Sequence, residues 1–194
     1  MARSRRWHRR PHGSKVSSRS DFREILFAEI ISVTGGLFAG FLLALTTDRF
    51  YLIPGLLILI PGFLEMRGSI SGSLAARLSS GMILGATKPE FAHNRIMKGN
   101  VIAAILLALA VSLMLGVIAF GLSWLVFGKA IISIILISVL AGLLSNIIEI
   151  PVTIATTFWL FRKGYDPNNI MGPYVTTVGD IVSILSLLIA IMII

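Results

Sequence analysis

The chain has 194 residues, 56% of them hydrophobic and 13% charged, and no cysteine. That balance, with long apolar runs that recur, reads as an integral membrane protein, and the missing thiols exclude disulfide staples and thiolate metal sites. The formal net charge of +8 suggests a nucleic-acid partner until it is located: Arg3, Arg5, Arg6, Arg9, Arg10, Lys15 and Arg19 stand in residues 1–20 without one acid, and the remainder is close to neutral.

Residues 1–20 therefore read as a flexible basic tail, a cytosolic topology signal in contact with anionic membrane lipids. Its Arg- and Ser-rich character also fits an organellar targeting segment, although no cleavage site marks one. RNA binding has little support, because only Trp7 offers a stacking face, and no nucleic acid is expected as a partner.

Residues 21–194 form one all-α unit of five apolar segments, each compared with the roughly 20 helical residues that cross a bilayer core. The first covers 22–46 and carries Gly35, Gly36 and Gly40, small residues that admit a neighbouring helix. Asp48 and Arg49 read as a short turn. The second covers 51–86, too long for one crossing, and is expected to leave the membrane near Arg77. A polar connector, 87–95, holds Glu90 and His93 as solvated groups. The third span covers 97–122, and 123–130 reads as a loop with Trp124 as an interfacial anchor. The fourth, 131–161, contains Pro151, whose missing N–H favours a kink. Gly164 and Asp166-Pro167-Asn168-Asn169 mark a loop over 162–170, and the fifth span fills 173–194.

A cytoplasmic N-terminus places the tail, Arg77, Lys88, Arg95, Lys98, Arg162 and Lys163 inside and leaves Arg49 and Lys129 outside. In that orientation, at about 1.5 Å of rise per residue, Glu29 and Asp180 lie roughly 10 Å from the inner face and Glu65 roughly 9 Å from it. Glu149 falls on the same side of the bilayer. Isolated carboxylates gathered in one layer repel one another, whereas a divalent cation keeps them ionised, so the layer predicts cation binding.

Two stretches concentrate that chemistry. Pro61-Gly-Phe-Leu-Glu-Met-Arg-Gly-Ser-Ile-Ser-Gly-Ser73 interrupts an apolar run in the manner of helices that line a polar path. Glu65 either faces that path or is neutralised by Arg67 or Arg77. Gly172-Pro-Tyr-Val-Thr-Thr-Val-Gly-Asp180 sets a carboxylate in a greasy segment, a functional position by default, behind Thr176, Thr177 and Gly179 on what reads as a turn. Asn146, one turn before Glu149, either faces the same path or bonds across helices.

The segment 61–85, which continues Leu-Ala-Ala-Arg-Leu-Ser-Ser-Gly-Met-Ile-Leu-Gly85, together with Asp166-Pro167 and the block ending at Asp180, resembles the membrane domain of the MgtE and solute carrier 41 magnesium transporters, nearer the second. The similarity extends over nearly everything from residue 22 onward. It implies a five-helix membrane domain, with a path between two such domains that passes Mg²⁺ or related divalent cations such as Mn²⁺, and it makes Asp180 the central pore acid. Ser69 stands where the family pattern usually has Asn, which weakens the carry-over of a side-chain carbonyl contact. No stretch resembles the soluble regulatory domains of bacterial MgtE, so gating of that kind is not implied.

Only one five-helix unit is encoded, so a homodimer is the simplest source of the second wall. Mg²⁺ gives up water reluctantly. Paired Asp180 carboxylates, with Thr176, Thr177 and backbone carbonyls near Gly172, are expected to hold it through its water shell, while Glu65 and Glu29 attract it from the cytoplasm. Ser69 and Glu149 complete the candidate set. The expected location is the plasma membrane, as a multi-pass protein. The competing class is a structural or assembly subunit whose acids and arginines pair to orient helices. No Ser/His/Asp constellation, His pair at metal spacing or nucleotide loop points to an enzyme.

Overall fold

A computed structural model describes residues 18–51, 53–90 and 95–194, with side chains from residue 21 onward. Residues 1–17 of the basic tail, and His93, lie outside the described residues. Five helices follow one another: α1 (Ser18–Tyr51), α2 (Leu56–Ile83), α3 (Arg95–Phe127), α4 (Ser133–Lys163) and α5 (Pro167–Ile193). No strand occurs among the described residues. α1, α3, α4 and α5 are each long and apolar enough to cross a membrane. α2, with 28 residues, has the length, about 42 Å at 1.5 Å per residue, but Glu65, Arg67 and Arg77 and its glycines and serines lower its hydrophobicity. The chain is an integral, multi-pass membrane protein.

α1, α3 and α5 run longer than the apolar pattern predicts, α2 is shorter than the expected 51–86, and α4 is shifted by two residues. α1 starts at Ser18, inside the stretch expected to be tail, and takes in Asp48 and Arg49, so they form no turn. The reversal into α2 falls instead at Gly55, whose φ of 87° suits glycine and whose missing Cβ would lie 2.5 Å from the Ser123 Cβ. α2 passes Arg77 without a break. α3 absorbs 123–127, so the exposed Trp124 is helical. α4 runs through Pro151 and ends in a Schellman turn, with Gly164 at φ 85° and the Tyr165 N–H bonded 3.1 Å to the Leu160 carbonyl. Asp166-Pro167 opens α5 rather than forming a loop: the Asp166 carboxylate caps the Asn168 N–H at 2.9 Å, and Pro167 fills the first turn, where no N–H is needed. Hydropathy misses these ends because polar caps and interfacial residues continue a helix past the bilayer core.

α5 is the centre of the arrangement, packed against α1, α2 and α4; α3 closes the far side against α2 and α4. α1 is an outrigger that lies along α5 and barely touches α2. The distribution of polarity is that of a protein in lipid. Phe27, Leu37, Leu106 and Ile147 are exposed, while Ser112, Ser138, Ser145, Thr157 and Ser183 are buried between helices. Lipid is as apolar as leucine, so close packing of small residues holds the helices together. Ala104, Ala108, Ser112, Gly116, Ala119 and Ser123 form the buried stripe of α3. A Cβ on Gly116 would come 2.9 Å from the Ile135 Cα, and the Ser138 hydroxyl donates 2.6 Å to the Ser112 carbonyl.

Two larger apolar clusters and a small one of Ala75, Leu160, Met171 and Val175 fill the bundle. One of the larger two, containing Phe50, Leu59, Phe63, Ile137 and Leu187, lies toward the α1–α2 turn; the other, with Leu74, Leu78, Ile154 and Phe158, lies toward the end of α4. Arg67, Ser71, Asn146 and Glu149 form a polar layer between them in α2 and α4. The candidate site lies at this level.

Candidate functional site

Helical spacing builds the site from two stripes. Pro61, Glu65 and Ser69 recur every four residues on α2, as do Gly172, Thr176 and Asp180 on α5, so each set shares a face. Where the two helices meet, Glu65, Ser69, Thr176 and Asp180 line an open groove of about 450 Å³ with Pro61, Leu64 and Gly68. α5 packs beside Gly68, where a Cβ would make ordinary contact with the Thr176 hydroxyl oxygen at 3.6 Å. Thr176 donates to the Gly172 carbonyl at 3.1 Å, which takes up that carbonyl and leaves the lone pairs of the hydroxyl as acceptors toward the groove. The turn expected before Asp180 is continuous helix.

Among the described residues neither Glu65 nor Asp180 has a hydrogen-bond or ion-pair partner. The groove thus presents two carboxylates and two hydroxyls with no cationic side chain beside them. Oxygen donors of this kind suit hard cations such as Mg²⁺ and Ca²⁺, directly or through their water.

The remaining candidates go elsewhere. Glu149 is buried at 2% exposure and faces Arg67, which is fully buried at 0%. Arg67 Nε donates to Glu149 Oε1 at 3.1 Å and Nη1 to Asn146 Oδ1 at 2.9 Å, while the Ser71 hydroxyl donates to Oε2 at 2.9 Å. Arg67 Nη2 also lies 2.9 Å from Oε2, as an ion contact off the straight N–H line. Arg67 therefore pairs with Glu149 and not with its near neighbour Glu65, because residues two apart lie about 200° apart around a helix. Asn146 bonds across helices as part of this network, the second of its two expected roles. Arg77 is exposed at the far end of α2.

Thr177 points away from the groove, into the α1–α5 seam. Its hydroxyl lies 3.0 Å from Ser32 Oγ, 3.3 Å from the Ser32 carbonyl and 3.0 Å from the Pro173 carbonyl. Gly35 makes room for it, since a Cβ there would fall 2.1 Å from Thr177 Cγ2. Glu29 is on the exposed side of α1. Three or more acids or histidines converge nowhere among the described residues. The layer of four acids thus divides into a groove pair, a buried partner of arginine and an outlying residue on α1.

Gly179 joins the two inner sets. It is buried on the α5 face turned toward the network, where a Cβ would lie 3.8 Å from both Glu149 carboxylate oxygens and 3.8 Å from Arg67 Cβ. The signal for this network was present in the chain, since Arg67 and Ser71 share one face of α2, and Asn146 and Glu149 one face of α4.

The sequence profile of the MgtE family, described as divalent cation transporter, matches residues 60–190, which holds every groove residue. Solute carrier family 41 member 2 of Xenopus laevis is 26% identical over 88% of this chain and 32% of its own length. The Homo sapiens protein of that name is 26% identical over 90% of this chain and 31% of its own length. The one from Gallus gallus is 27% identical over 88% and 31%. The chain thus spans about a third of the length of these relatives. No solved structure matches. With a profile match over most of its length, the chain belongs to the MgtE family of divalent cation transporters.

Proposed function

We propose that the chain carries Mg²⁺, or a related divalent cation such as Mn²⁺, across the membrane along the groove between α2 and α5, with Asp180 as the principal acid. One observation carries this reading: among the described residues, Glu65 and Asp180 share a groove with no cationic side chain paired to either, although Arg67 stands two residues from Glu65. A carboxylate held at membrane depth without a partner is costly, and a passing hydrated cation removes that cost. Ser69 and Thr176 add acceptors for the water shell. Glu65 then attracts or relays the ion to Asp180.

The groove has one wall. A second copy related by a two-fold axis doubles Asp180 and Glu65 and closes a path around the ion, so the working unit is a homodimer. All five helices cross the bilayer in this reading, with the N-terminus cytoplasmic by the bias of Lys and Arg, and the plasma membrane is the proposed location. The basic tail lies along anionic lipid.

The test is Mg²⁺ uptake into liposomes containing the purified chain. Uptake should be present and should fall to background in Asp180→Asn; equal uptake by both refutes the assignment. A structural subunit is the second reading, and the Arg67–Glu149 pair favours it, since that pair orients helices. It leaves Glu65 and Asp180 unexplained. If it holds, neither form carries the ion, and Asp180→Asn changes stability alone.

A further inference from the structure

We propose that Arg67 sets the charge that an ion meets in the groove. By holding Glu149 in a neutral pair behind α5, it keeps a third carboxylate from acting on the ion path. This rests on the transport reading above and adds a positioning residue to it.

The geometry supplies the coupling. The guanidinium is wholly buried, engaged by Glu149 and Asn146, while Ser71 occupies the other lobe of the carboxylate. α5 stands against that carboxylate at Gly179, where a Cβ would lie 3.8 Å from both carboxylate oxygens, and the next residue, Asp180, lines the groove. Glu65 faces the groove itself, whereas Glu149 lies behind the helix, across packed protein where charges are weakly screened. Its effect on an ion beside Asp180 then depends on its counter-charge. A guanidinium does not give up its proton in proteins, so Arg67 is the fixed member of the pair and any change at Glu149 leaves a full positive charge behind.

A simple strut and a charge-setting pair differ in sign. If the pair only braces α2 against α4 and α5, removing either member loosens the groove, and both changes weaken ion binding. If the pair sets charge, the two removals act in opposite directions. Mg²⁺ affinity is to be measured by titration calorimetry on the purified full chain in lipid nanodiscs, near neutral pH. Arg67→Gln leaves a carboxylate and should tighten binding about tenfold, one decade of affinity. Glu149→Gln leaves a guanidinium and should weaken it about tenfold. The double Arg67→Gln/Glu149→Gln should return to within about twofold of the unaltered chain.

Shifts of the two single variants in the same direction, or no shift in Glu149→Gln, overturn the proposal. Where a single variant fails to fold, two other forms carry the test: the neutral double, which leaves no buried charge, and Arg67→Lys, which keeps the charge without the fork. Both should bind Mg²⁺ within about twofold of the unaltered chain even at a lower melting temperature, and a folded form of either that has lost binding overturns the proposal. Asp180→Asn, in the otherwise unaltered chain, tests the transport reading separately. No Mg²⁺ binding by the unaltered chain sinks both. Binding that depends on Asp180 but moves the same way in both single variants sinks the charge-setting role alone.

Discussion

Two sets of charges lie at one level of this bundle, and α2 contributes to both. Arg67 and Glu149 are buried together at 0% and 2% exposure with every charged group engaged. Glu65 and Asp180 stand in an open groove with no hydrogen-bond or ion-pair partner among the described residues. Position around a helix makes the difference: a step of two residues from Glu65 to Arg67 turns the chain from the groove to the interior. A buried charge without a partner is strongly destabilising, so the inner set has to be closed; a groove acid has access to water and is free to stay open for an ion. Bracing of the helices and contact with the ion are thus assigned to opposite faces of α2 and α5, and the inner pair reaches the ion only through its charge.

The sharpest way to break this contrast is to exchange the expected consequences. Asp180→Asn should lower Mg²⁺ flux in liposomes by about a hundredfold, at the upper end of what even the supporting partners of a metal site are worth. It should leave the melting of the ion-free protein within about 0.5 kcal/mol, because no partner is lost. It should also remove the stabilisation by Mg²⁺, about 2.7 kcal/mol at a hundred times the dissociation constant, read as a shift of thermal melting with ion concentration. Arg67→Ala should do the reverse to stability, costing about 3–5 kcal/mol in the ion-free protein, since it strands Glu149 in the interior. A stable Arg67→Ala protein, or an Asp180→Asn protein that unfolds, would erase the distinction between the two sets.

Much of this was legible in the chain, and the parts that were not share a cause. Hydropathy and turn residues mark five helices, and the four-residue spacing of Glu65 with Ser69 and of Thr176 with Asp180 marks two polar faces on α2 and α5. The depth of the acids along the helix axis also follows from counting residues. Depth alone, however, does not fix azimuth. Glu149 shares the level of Asp180 yet faces Arg67, and Glu29 is turned outward, because which face of α1 or α4 meets α5 is decided by packing between helices. The stripe of Ala104, Ala108, Ser112 and Gly116 could have revealed the α3–α4 seam, since small residues every four positions are the mark of close approach in lipid. Helix ends were misplaced where caps such as Asp166 and Gly164 extend or stop a helix without changing its hydrophobicity.

That seam supplies the next effect in size. A Cβ on Gly116 meets backbone, the Ile135 Cα at 2.9 Å, and backbone cannot rotate away. Gly116→Ala should therefore push α3 from α4 and cost about 1–3 kcal/mol, the range of an overpacked core, measured by thermal melting in detergent. Mg²⁺ affinity should be unchanged, since α3 does not touch α5 among the described residues. An affinity loss there would mean that the groove depends on the whole bundle and not on the α2–α5 contact.

The smallest effect separates two adjacent threonines that the sequence alone treats alike. Thr176 opens on the groove and Thr177 on α1, so Thr177→Val, which keeps the shape and removes the hydroxyl bonded to Ser32, should cost about 0.6 kcal/mol, the average for a hydrogen bond between membrane helices. Gly35→Ala meets the Thr177 methyl at 2.1 Å and should cost more, because turning that methyl aside also moves the hydroxyl off Ser32. Thr177→Ser deletes the methyl and keeps the hydroxyl, so it should recover most of the Gly35→Ala loss in the double variant, a coupling that independent sites do not show. None of these changes should alter Mg²⁺ binding if the α1 seam only anchors α5. A change in ion affinity on Thr177→Val would instead make α1 part of the ion path, and with it the exposed Glu29 that stands one turn from Ser32.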